Sequence, residues 1–135
     1  MLTCFKAYDI RGRLGDELNE DIARRIGRAF APVLGARRVV VGRDCRASSA
    51  ALMAACVEGL VASGAEVLDL GLCGTEEMYH AVTHFGADGG IEVTASHNPM
   101  DWNGMKMVRA GSAPLDAAGG LAAFRAMAES GAFPV

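Results

Sequence analysis

The stretch RVVVGRDCRASSAALMAACVEGLVASGAEVLDL, residues 38–70, decides the fold class. Three valines within Arg38–Val41 predict a short β-strand. Ser48 is a typical N-cap for the apolar helix that follows, and Gly64 is a typical residue just past its end. Glu66–Leu70 predicts the next strand. A strand, a helix and a second strand in this order are typical of an α/β domain.

The same alternation of strands and helices extends in both directions along the chain. Further strands are predicted at Phe5–Ile10, which Arg11-Gly12 ends, at Gly90–Ala95 and at Met105–Val108. Further helices are predicted from an Asn19 cap to Gly35, from a Thr75 cap to about Phe85, and over Asp116–Ser130. The whole pattern predicts a layered α/β domain, in which functional residues collect in the loops at the strand ends.

The composition fits one ordinary globular domain. The 135 residues are 51% hydrophobic and 21% charged, which excludes a disordered chain. The net charge of −3 at pH 7 argues against a nucleic-acid binder, which usually carries a basic face. No apolar run is long enough for a membrane span, and the charged first residues do not fit a signal peptide. We therefore expect a cytoplasmic protein without a nucleic-acid or membrane partner.

The four cysteines stand at positions 4, 45, 56 and 73, without a Cys-x-x-Cys pair. This spacing predicts neither a zinc knuckle nor a redox pair. We expect free, buried thiols in a reducing compartment.

One loop after a predicted strand is unusually rich in reactive groups. It runs from Ser96 to Gly104 and offers a hydroxyl, an imidazole and two amides. Pro99 restricts its backbone, and Asn103-Gly104 is a strong turn signal. A turn at that point would bring Lys106 back toward Ser96.

Several interpretations of this loop are open on residue chemistry alone. It could be a decorated β-turn without catalytic function. A hydrolase nucleophile is disfavoured because the chain lacks a Gly-x-Ser-x-Gly segment. Phosphate handling fits better, since Arg11, Arg43 and Lys106 all follow or border predicted strands. The nucleotide-binding motifs Gly-x-Gly-x-x-Gly and Walker A are both missing from the sequence.

Three segments, in order and at domain spacing, carry a family resemblance. These are FKAYDIRG (5–12), VGRDCRASS (41–49) and GGIEVTASHNP (89–99), the last continued by DWNGMK (101–106). Together they resemble the α-D-phosphohexomutase family, and in particular the N-terminal domain of bacterial phosphomannomutases of the phosphomannomutase/phosphoglucomutase type. The resemblance covers nearly the whole chain.

The resemblance implies a role for six residues. Ser96 would be the phosphoserine, whose phosphate also binds Mg²⁺, and His97 beside it would act as general acid/base. Lys106 and Arg11 would stabilise the charge of the transferred phosphoryl group. Tyr8 and Asn98 would line the substrate site, with Tyr8 alternatively a packing residue and His97 alternatively a residue that orients the loop.

The resemblance also implies an architecture and a reaction. The fold would be a three-layer α/β/α domain with a mixed, mostly parallel sheet. The parent enzyme would interconvert mannose 6-phosphate and mannose 1-phosphate through a hexose 1,6-bisphosphate, which also serves as activator, and would supply GDP-mannose and polysaccharide synthesis. Alternatives are a phosphoglucomutase domain, a phosphoglucosamine mutase domain, or a non-catalytic module that binds a phosphosugar or a partner protein.

The family's remaining site residues would lie outside this chain. By this resemblance residues 1–135 would correspond to domain I, with domains II–IV absent from the chain. In the family the aspartates that complete the Mg²⁺ site lie in a D-G-D-x-D-R segment of the second domain, and no D-G-D occurs here. We therefore expect the 135-residue chain alone to be inactive as a mutase.

Other polar residues are expected to have structural or solvated roles. Arg43, Asp44 and Arg46 are predicted to form a salt-bridge network near the site. His80 and His84, with Glu76, fall on one helical face. Solvated side chains are favoured there over metal ligands, because no third ligand of known position is evident. Trp102 could stack on a sugar or cover the loop, and the sequence leaves this open.

Overall fold

The computed structural model describes residues 2–6, 9–96, 98–115 and 120–134. Its strands are β1 (Asp9–Arg13), β2 (Arg38–Arg43), β3 (Glu66–Leu72), β4 (Gly89–Val93) and β5 (Trp102–Arg109). Its α-helices are α1 (Glu20–Leu34), α2 (Ser49–Ala62), α3 (Thr75–His84) and α4 (Leu121–Ser130), and a short 3₁₀ turn covers Ala110–Ser112. Within these ranges no helix combines the length and the apolar character needed to cross a bilayer.

The strands form one mixed sheet in the order β1-β5-β4-β2-β3. β2 pairs in parallel with both β3 and β4. β5 lies between β1 and β4 and runs antiparallel to both. Four strands therefore share one direction, and the predicted mixed, mostly parallel sheet is confirmed.

Helices cover both faces of the sheet. Val39 and Val41 of β2 belong to the main core together with the buried faces of α1, α2 and α4, whereas Val40 packs with α3 in a second, smaller core. This division follows from the strand geometry, because successive side chains point to opposite faces of the sheet. The predicted three-layer α/β/α architecture is confirmed.

The first helix forms as its sequence predicts. The Asn19 side chain accepts a hydrogen bond from the Ile22 amide at 2.9 Å, and Gly35 ends the helix in the left-handed conformation. The apolar positions Ile22, Ile26 and Phe30 are buried. α3, in contrast, is capped by Gly74 rather than by Thr75, which is the first helical residue.

α1 and α2 pack against each other through glycines. A Cβ atom at Gly27 would lie 2.2 Å from the Cys56 carbonyl oxygen, and one at Gly59 would lie 2.1 Å from the Arg24 carbonyl oxygen. Backbone therefore meets backbone at this helix crossing, and a side chain at either position has no space.

Two predictions are wrong: the strand end at Arg11-Gly12 and the turn at Asn103-Gly104. Arg11 and Gly12 do not end the first strand but lie inside β1, which pairs with β5 as far as Arg13 opposite Trp102. Asn103 and Gly104 do not form a turn but lie inside β5. Both glycines are required by close contacts: a Cβ at Gly12 would lie 2.9 Å from Glu17 Cβ, and one at Gly104 would lie 2.1 Å from the Ile10 carbonyl oxygen.

Several boundaries also differ from the prediction. β4 ends at Val93 rather than Ala95, β5 begins at Trp102 rather than Met105, and α4 begins at Leu121. Residues 116–119 of the predicted last helix lie outside the described residues. Of the cysteines, Cys4 and Cys56 are buried as predicted, but Cys45 is exposed and Cys73 is half-buried.

Candidate active site beyond the carboxyl end of β4

A cleft of about 120 Å³ lies where the segment following β4 meets β1 and β5. Its lining consists of Asp9, Ile10, Arg11, Thr94, Ala95, Ser96, Asn98 and Lys106. Four of the six predicted site residues therefore lie together in one cleft. The other two, Tyr8 and His97, lie outside the described residues.

Ser96 is exposed and has an unusual backbone conformation. Its φ of 52° lies in the left-handed region, which costs a residue other than glycine about 1–2 kcal/mol. Two hydrogen bonds hold it there: its amide donates to Thr94 Oγ1 at 3.0 Å, and its carbonyl accepts from Arg46 Nη2 at 3.0 Å. Strained backbone fixed in this way is typical of functional sites.

Asn98 shapes the turn that follows Ser96. Its backbone amide and its side-chain Nδ2 both donate to the Ala95 carbonyl oxygen, at 3.0 Å and 2.7 Å. The chain then reverses before β5, where the Trp102 amide donates to the Pro99 carbonyl at 3.0 Å. The reversal therefore occurs between Asn98 and Trp102, earlier than the sequence predicts.

Two basic side chains line the cleft opposite this turn. Arg11 and Lys106 lie on the adjacent strands β1 and β5, where Lys106 pairs with Asp9 in the strand register. Arg11 Nη2 is 3.6 Å from Asp9 Oδ1, and its buried Nε has no hydrogen-bond partner among the described residues. No carboxylate of the described residues lies within 4 Å of Lys106 Nζ. Two cations and one carboxylate give the cleft a net positive charge, which favours an anionic ligand.

The predicted Arg43–Asp44–Arg46 network is present in part. Arg46 Nε is 3.4 Å from Asp44 Oδ2, and the Arg46 side chain is only 8% exposed. Arg43 joins by donating to the Asp44 carbonyl at 3.2 Å rather than to a carboxylate. Asp44 also accepts a hydrogen bond from the Ser49 hydroxyl. The network therefore fixes the loop between β2 and α2 beside the cleft.

Trp102 and the histidine pair lie away from the cleft lining. Trp102 is part of β5, with the Arg13 guanidinium carbon 5.8 Å from its ring centroid. His80 and His84 stack on each other with ring centroids 5.6 Å apart. Among the described residues no group of three His, Cys, Asp or Glu side chains could hold a metal ion.

Sequence reasoning missed a buried carboxyl group at Glu92. The residue lies in β4 opposite Lys106 of β5, its side chain is 0% exposed, and the Cys73 thiol donates to its Oε1 at 3.2 Å. Its Oε2 is buried without a hydrogen-bond partner among the described residues. Burial raises the pKa of Glu92 to about 7, and the negative charges of Asp44 and Glu77 also act in that direction. An acidic residue between Ile91 and Val93 in an apolar strand is the sequence signal that could have revealed it.

The wild-type protein is expected to lose stability between pH 5 and pH 8 because of Glu92. We expect the Glu92→Gln variant not to show this loss. The carboxyl group favours its protonated form when folded, so it contributes stability below about pH 4.5 that is lost as the pH rises through about 7. That pKa difference corresponds to on the order of 3 kcal/mol. Urea unfolding at pH 5 and pH 8 measures the change, and the variant should be the more stable protein at pH 8.

The matched control is Glu66→Gln, which changes an exposed carboxylate on β3 that is 3.4 Å from Arg38. Exposed ion pairs contribute little, so this variant should retain the pH dependence of the wild type. An unchanged pH dependence in Glu92→Gln would contradict the assignment.

Comparison with known proteins agrees with the fold. Residues 3–124 match the family described as phosphoglucomutase/phosphomannomutase, alpha/beta/alpha domain I. The phosphomannomutase of Salmonella typhimurium (strain LT2) is 60% identical over 133 residues, which are 98% of this chain and 29% of that protein. A Klebsiella pneumoniae phosphomannomutase is 57% identical over 133 residues, with 98% of this chain and 85% of that sequence covered.

Solved structures also show similarity to this family. The crystal structure of a phosphoglucomutase/phosphomannomutase family protein from Burkholderia thailandensis superposes with a TM-score of 0.88 at 37% identity, covering 100% of this chain and 32% of that one. The chain thus spans about 30% of the length of most of the relatives it matches. The chain belongs to the phosphoglucomutase/phosphomannomutase family, whose α/β/α domain I it matches over residues 3–124.

Proposed function

We propose that this chain is the phosphoserine-bearing domain of a phosphohexomutase that interconverts mannose 6-phosphate and mannose 1-phosphate. The observation that carries the proposal is the exposed, left-handed Ser96 in one cleft with Arg11 and Lys106. Family membership and relatives that carry the name phosphomannomutase support it.

In the proposed reaction the phosphate on Ser96 moves to a hydroxyl of the bound sugar phosphate. The bond from phosphorus to Ser96 Oγ breaks and a bond from phosphorus to the sugar oxygen forms. His97 accepts the proton of the sugar hydroxyl and passes it to the leaving Ser96 oxygen, so that the serine ends as a neutral hydroxyl. The resulting hexose 1,6-bisphosphate turns over and returns its other phosphate to Ser96. The same bisphosphate, when added, would restore phosphate on a serine that has lost it.

Arg11 and Lys106 supply positive charge where the phosphoryl group passes. Phosphoryl transfer depends mainly on positioning and charge stabilisation. A cation about 4 Å from a phosphate oxygen is worth about 4 kcal/mol at an effective dielectric constant of about 20, before desolvation is counted. Tyr8 and Asn98 would line the substrate site, with the Asn98 side chain also holding the turn through the Ala95 carbonyl.

The described residues fit a partial Mg²⁺ site only. Mg²⁺ requires about six oxygen ligands, several of them often water. Ser96, through its phosphate, would provide one, whereas the Asp9 carboxylate is paired with Arg11. When bound, the ion would neutralise charge on the transferred phosphoryl group.

The remaining Mg²⁺ ligands and the sugar contacts would come from further domains of a longer protein. This follows the observation that the chain spans 29% of the Salmonella relative. In this proposal residues 1–135 are domain I, domains II–IV complete the site, and the protein acts in the cytoplasm in the supply of GDP-mannose for polysaccharide synthesis. The chain on its own would have no mutase activity.

The test is a mutase assay of the full-length protein with Mg²⁺ and a trace of hexose 1,6-bisphosphate. We expect conversion of mannose 1-phosphate to mannose 6-phosphate by ³¹P NMR, and peptide mapping should place phosphate on Ser96. A clear preference for glucose 1-phosphate or glucosamine 1-phosphate would show that mannose 1-phosphate is not the main substrate. Absence of both turnover and phosphoserine would overturn the proposal, and turnover by the 135-residue chain alone would overturn the division among domains.

A further inference from the structure

The guanidinium of Arg46 is bound by the backbone of the Ser96 loop, defined as residues 94–101 between β4 and β5, and by the first residue of β5. It donates to four main-chain carbonyl oxygens. Nη2 contacts those of Ser96 (3.0 Å) and Asn98, and Nη1 contacts those of Pro99 (2.8 Å) and Trp102 (3.2 Å). One side chain from the loop between β2 and α2 thereby connects Ser96 to the far end of the Ser96 loop and to the start of β5.

The arrangement needs an arginine. A guanidinium offers five donors in a rigid plane, whereas a lysine ammonium offers three donors on a flexible stem. Four carbonyl oxygens directed at one point repel each other unless a cation lies among them, and buried carbonyls without partners are costly. Because the Arg46 side chain is only 8% exposed, water has little access to replace its hydrogen bonds.

Asp44 fixes the guanidinium from the other side. Asp44 Oδ2 lies 3.4 Å from Arg46 Nε, and Asp44 Oδ1 accepts the Arg46 backbone amide at 3.0 Å. Ser49, at the start of α2, donates to the same carboxylate and accepts from Asn103 Nδ2 at 3.0 Å. The Arg46 side chain is therefore held in one geometry by α2 and β5.

The contact at Ser96 acts on the residue for which a phosphate is proposed. The left-handed backbone of Ser96 is held by two hydrogen bonds, one from its amide to Thr94 and one to its carbonyl from Arg46. Loss of either bond would let Ser96 relax to the more favourable region of φ below zero. Such a rotation would move the hydroxyl relative to Arg11 and Lys106.

We infer that Arg46 is a positioning residue for phosphoryl transfer: it holds Ser96 in the left-handed conformation and keeps its hydroxyl in the cleft with Arg11 and Lys106. The inference rests on the proposed function. It assigns to Arg46 a role beyond the salt bridge to Asp44, because the guanidinium makes more contacts to the Ser96 loop than to that carboxylate.

The test is the single-turnover rate at which a hexose 1,6-bisphosphate phosphorylates Ser96 in the full-length protein. We expect Arg46→Lys to lower this rate about 100-fold or more. A displacement of a reacting group by about 1 Å can lower a reaction rate by that factor. The bisphosphate concentration at half-maximal rate should stay within a factor of about two or three, since the Arg46 side chain contacts the loop backbone and does not itself line the cleft. Partial unfolding would lower the amplitude of the single turnover and leave its first-order rate constant unchanged. A lower rate constant at full amplitude is therefore a change that simple destabilisation would not produce.

Arg25→Lys is the matched control. Arg25 Nη1 also donates to main-chain carbonyls, those of Ala128 (3.0 Å) and Glu129 (3.1 Å), but it joins α1 to α4 and not to the Ser96 loop. We expect this variant to phosphorylate Ser96 at the wild-type rate. An equal loss of rate in both variants would overturn the inference, and so would a wild-type rate in a folded Arg46→Lys protein.

Thr94→Val provides a second route if Arg46→Lys does not fold. It removes the acceptor of the Ser96 amide while Arg46 stays in place. The same loss of rate is expected, with recovery in Thr94→Ser, and a wild-type rate in Thr94→Val would overturn the inference. A wild-type protein that never acquires phosphate on Ser96 is a different result, since it overturns the proposed function itself.

Discussion

Replacing Ser96 with alanine in the full-length protein is expected to abolish mutase turnover, to below about one thousandth of the wild-type rate. The variant has no oxygen to accept or donate the phosphoryl group, so none of the other cleft residues can restore the reaction. Stability should change little, because Ser96 is exposed and both hydrogen bonds at this position use its backbone. A melting temperature within about one or two degrees of wild type is expected, since exposed substitutions rarely exceed about 0.5 kcal/mol.

Ser112→Ala is the matched control for this experiment. Ser96 and Ser112 are both serines with a left-handed backbone, at φ of 52° and 57°. The Ser112 hydroxyl donates to the Tyr79 carbonyl at 2.7 Å and lies outside the cleft lining. We expect Ser112→Ala to retain activity. Near-normal turnover in Ser96→Ala would refute the phosphoserine assignment, and unfolding of Ser96→Ala alone would show that the serine is structural.

The architecture could be predicted because local signals agree with the tertiary structure. The valines of β2, the glycine that follows α2 and the Asn19 cap of α1 all form the elements that their residue types favour. Alternation of strands and helices then leaves few arrangements other than a layered α/β domain. The strand order could not be predicted, because β1 pairs with β5, which is distant from it in sequence, and not with the strand that follows it in the chain.

The wrong strand end at Gly12 and the wrong turn at Gly104 have one physical cause. Glycine occurs both where the backbone bends and where another chain segment passes too closely for a Cβ atom. At Gly12 and Gly104 the second reason applies, since Glu17 and Ile10 respectively occupy the space beside them. A single sequence does not distinguish these reasons. Asn103-Gly104 therefore reads as a turn although Asn103 is buried and binds the hydroxyls of Ser48 and Ser49.

The site was predictable where its chemistry is local and unpredictable where it depends on packing. Ser96 and Asn98 are neighbours in sequence, and the family resemblance indicated Arg11 and Lys106, which share their cleft. The contacts of Arg46 to four loop carbonyls arise only when the loop after β2 lies beside the loop after β4. Glu92 differs, because its place between Ile91 and Val93 is a sequence signal of burial, whereas its contact with Cys73 depends on packing.

Gly59→Ala is expected to destabilise the domain by about 3 kcal/mol or more, at the upper end of what overpacking usually costs. Its Cβ would lie 2.1 Å from the Arg24 carbonyl oxygen and 2.9 Å from the Arg28 amide nitrogen, both backbone atoms of α1. The two helices would have to separate. They cannot shift closer at Gly27 instead, because the backbone there is already in close contact with the Cys56 carbonyl. Thermal unfolding followed by circular dichroism should show a fall on the order of 10 °C.

Gly74→Ala is the control for the loss of a glycine as such. Its Cβ would lie 3.5 Å from the nearest atom, Glu77 Oε1, which is an ordinary contact, and its φ of −86° is accessible to alanine. A change below about 1 kcal/mol is expected, in line with a substitution at a helix N-cap. Equal melting temperatures for Gly59→Ala and the wild type would contradict the close helix crossing.

The position of β1 in the sheet has a consequence for the order in which the domain folds during synthesis. β2, β3 and β4 can pair as soon as Val93 has been made, whereas β1 must wait for β5, with Asp9 pairing to Lys106 across most of the chain. Contacts so distant in sequence form slowly. We therefore expect the nascent chain to pass through a state in which the edge of β4 is bare and prone to association. The cleft that holds Arg11, Ser96 and Lys106 would assemble only after β5 has joined the sheet.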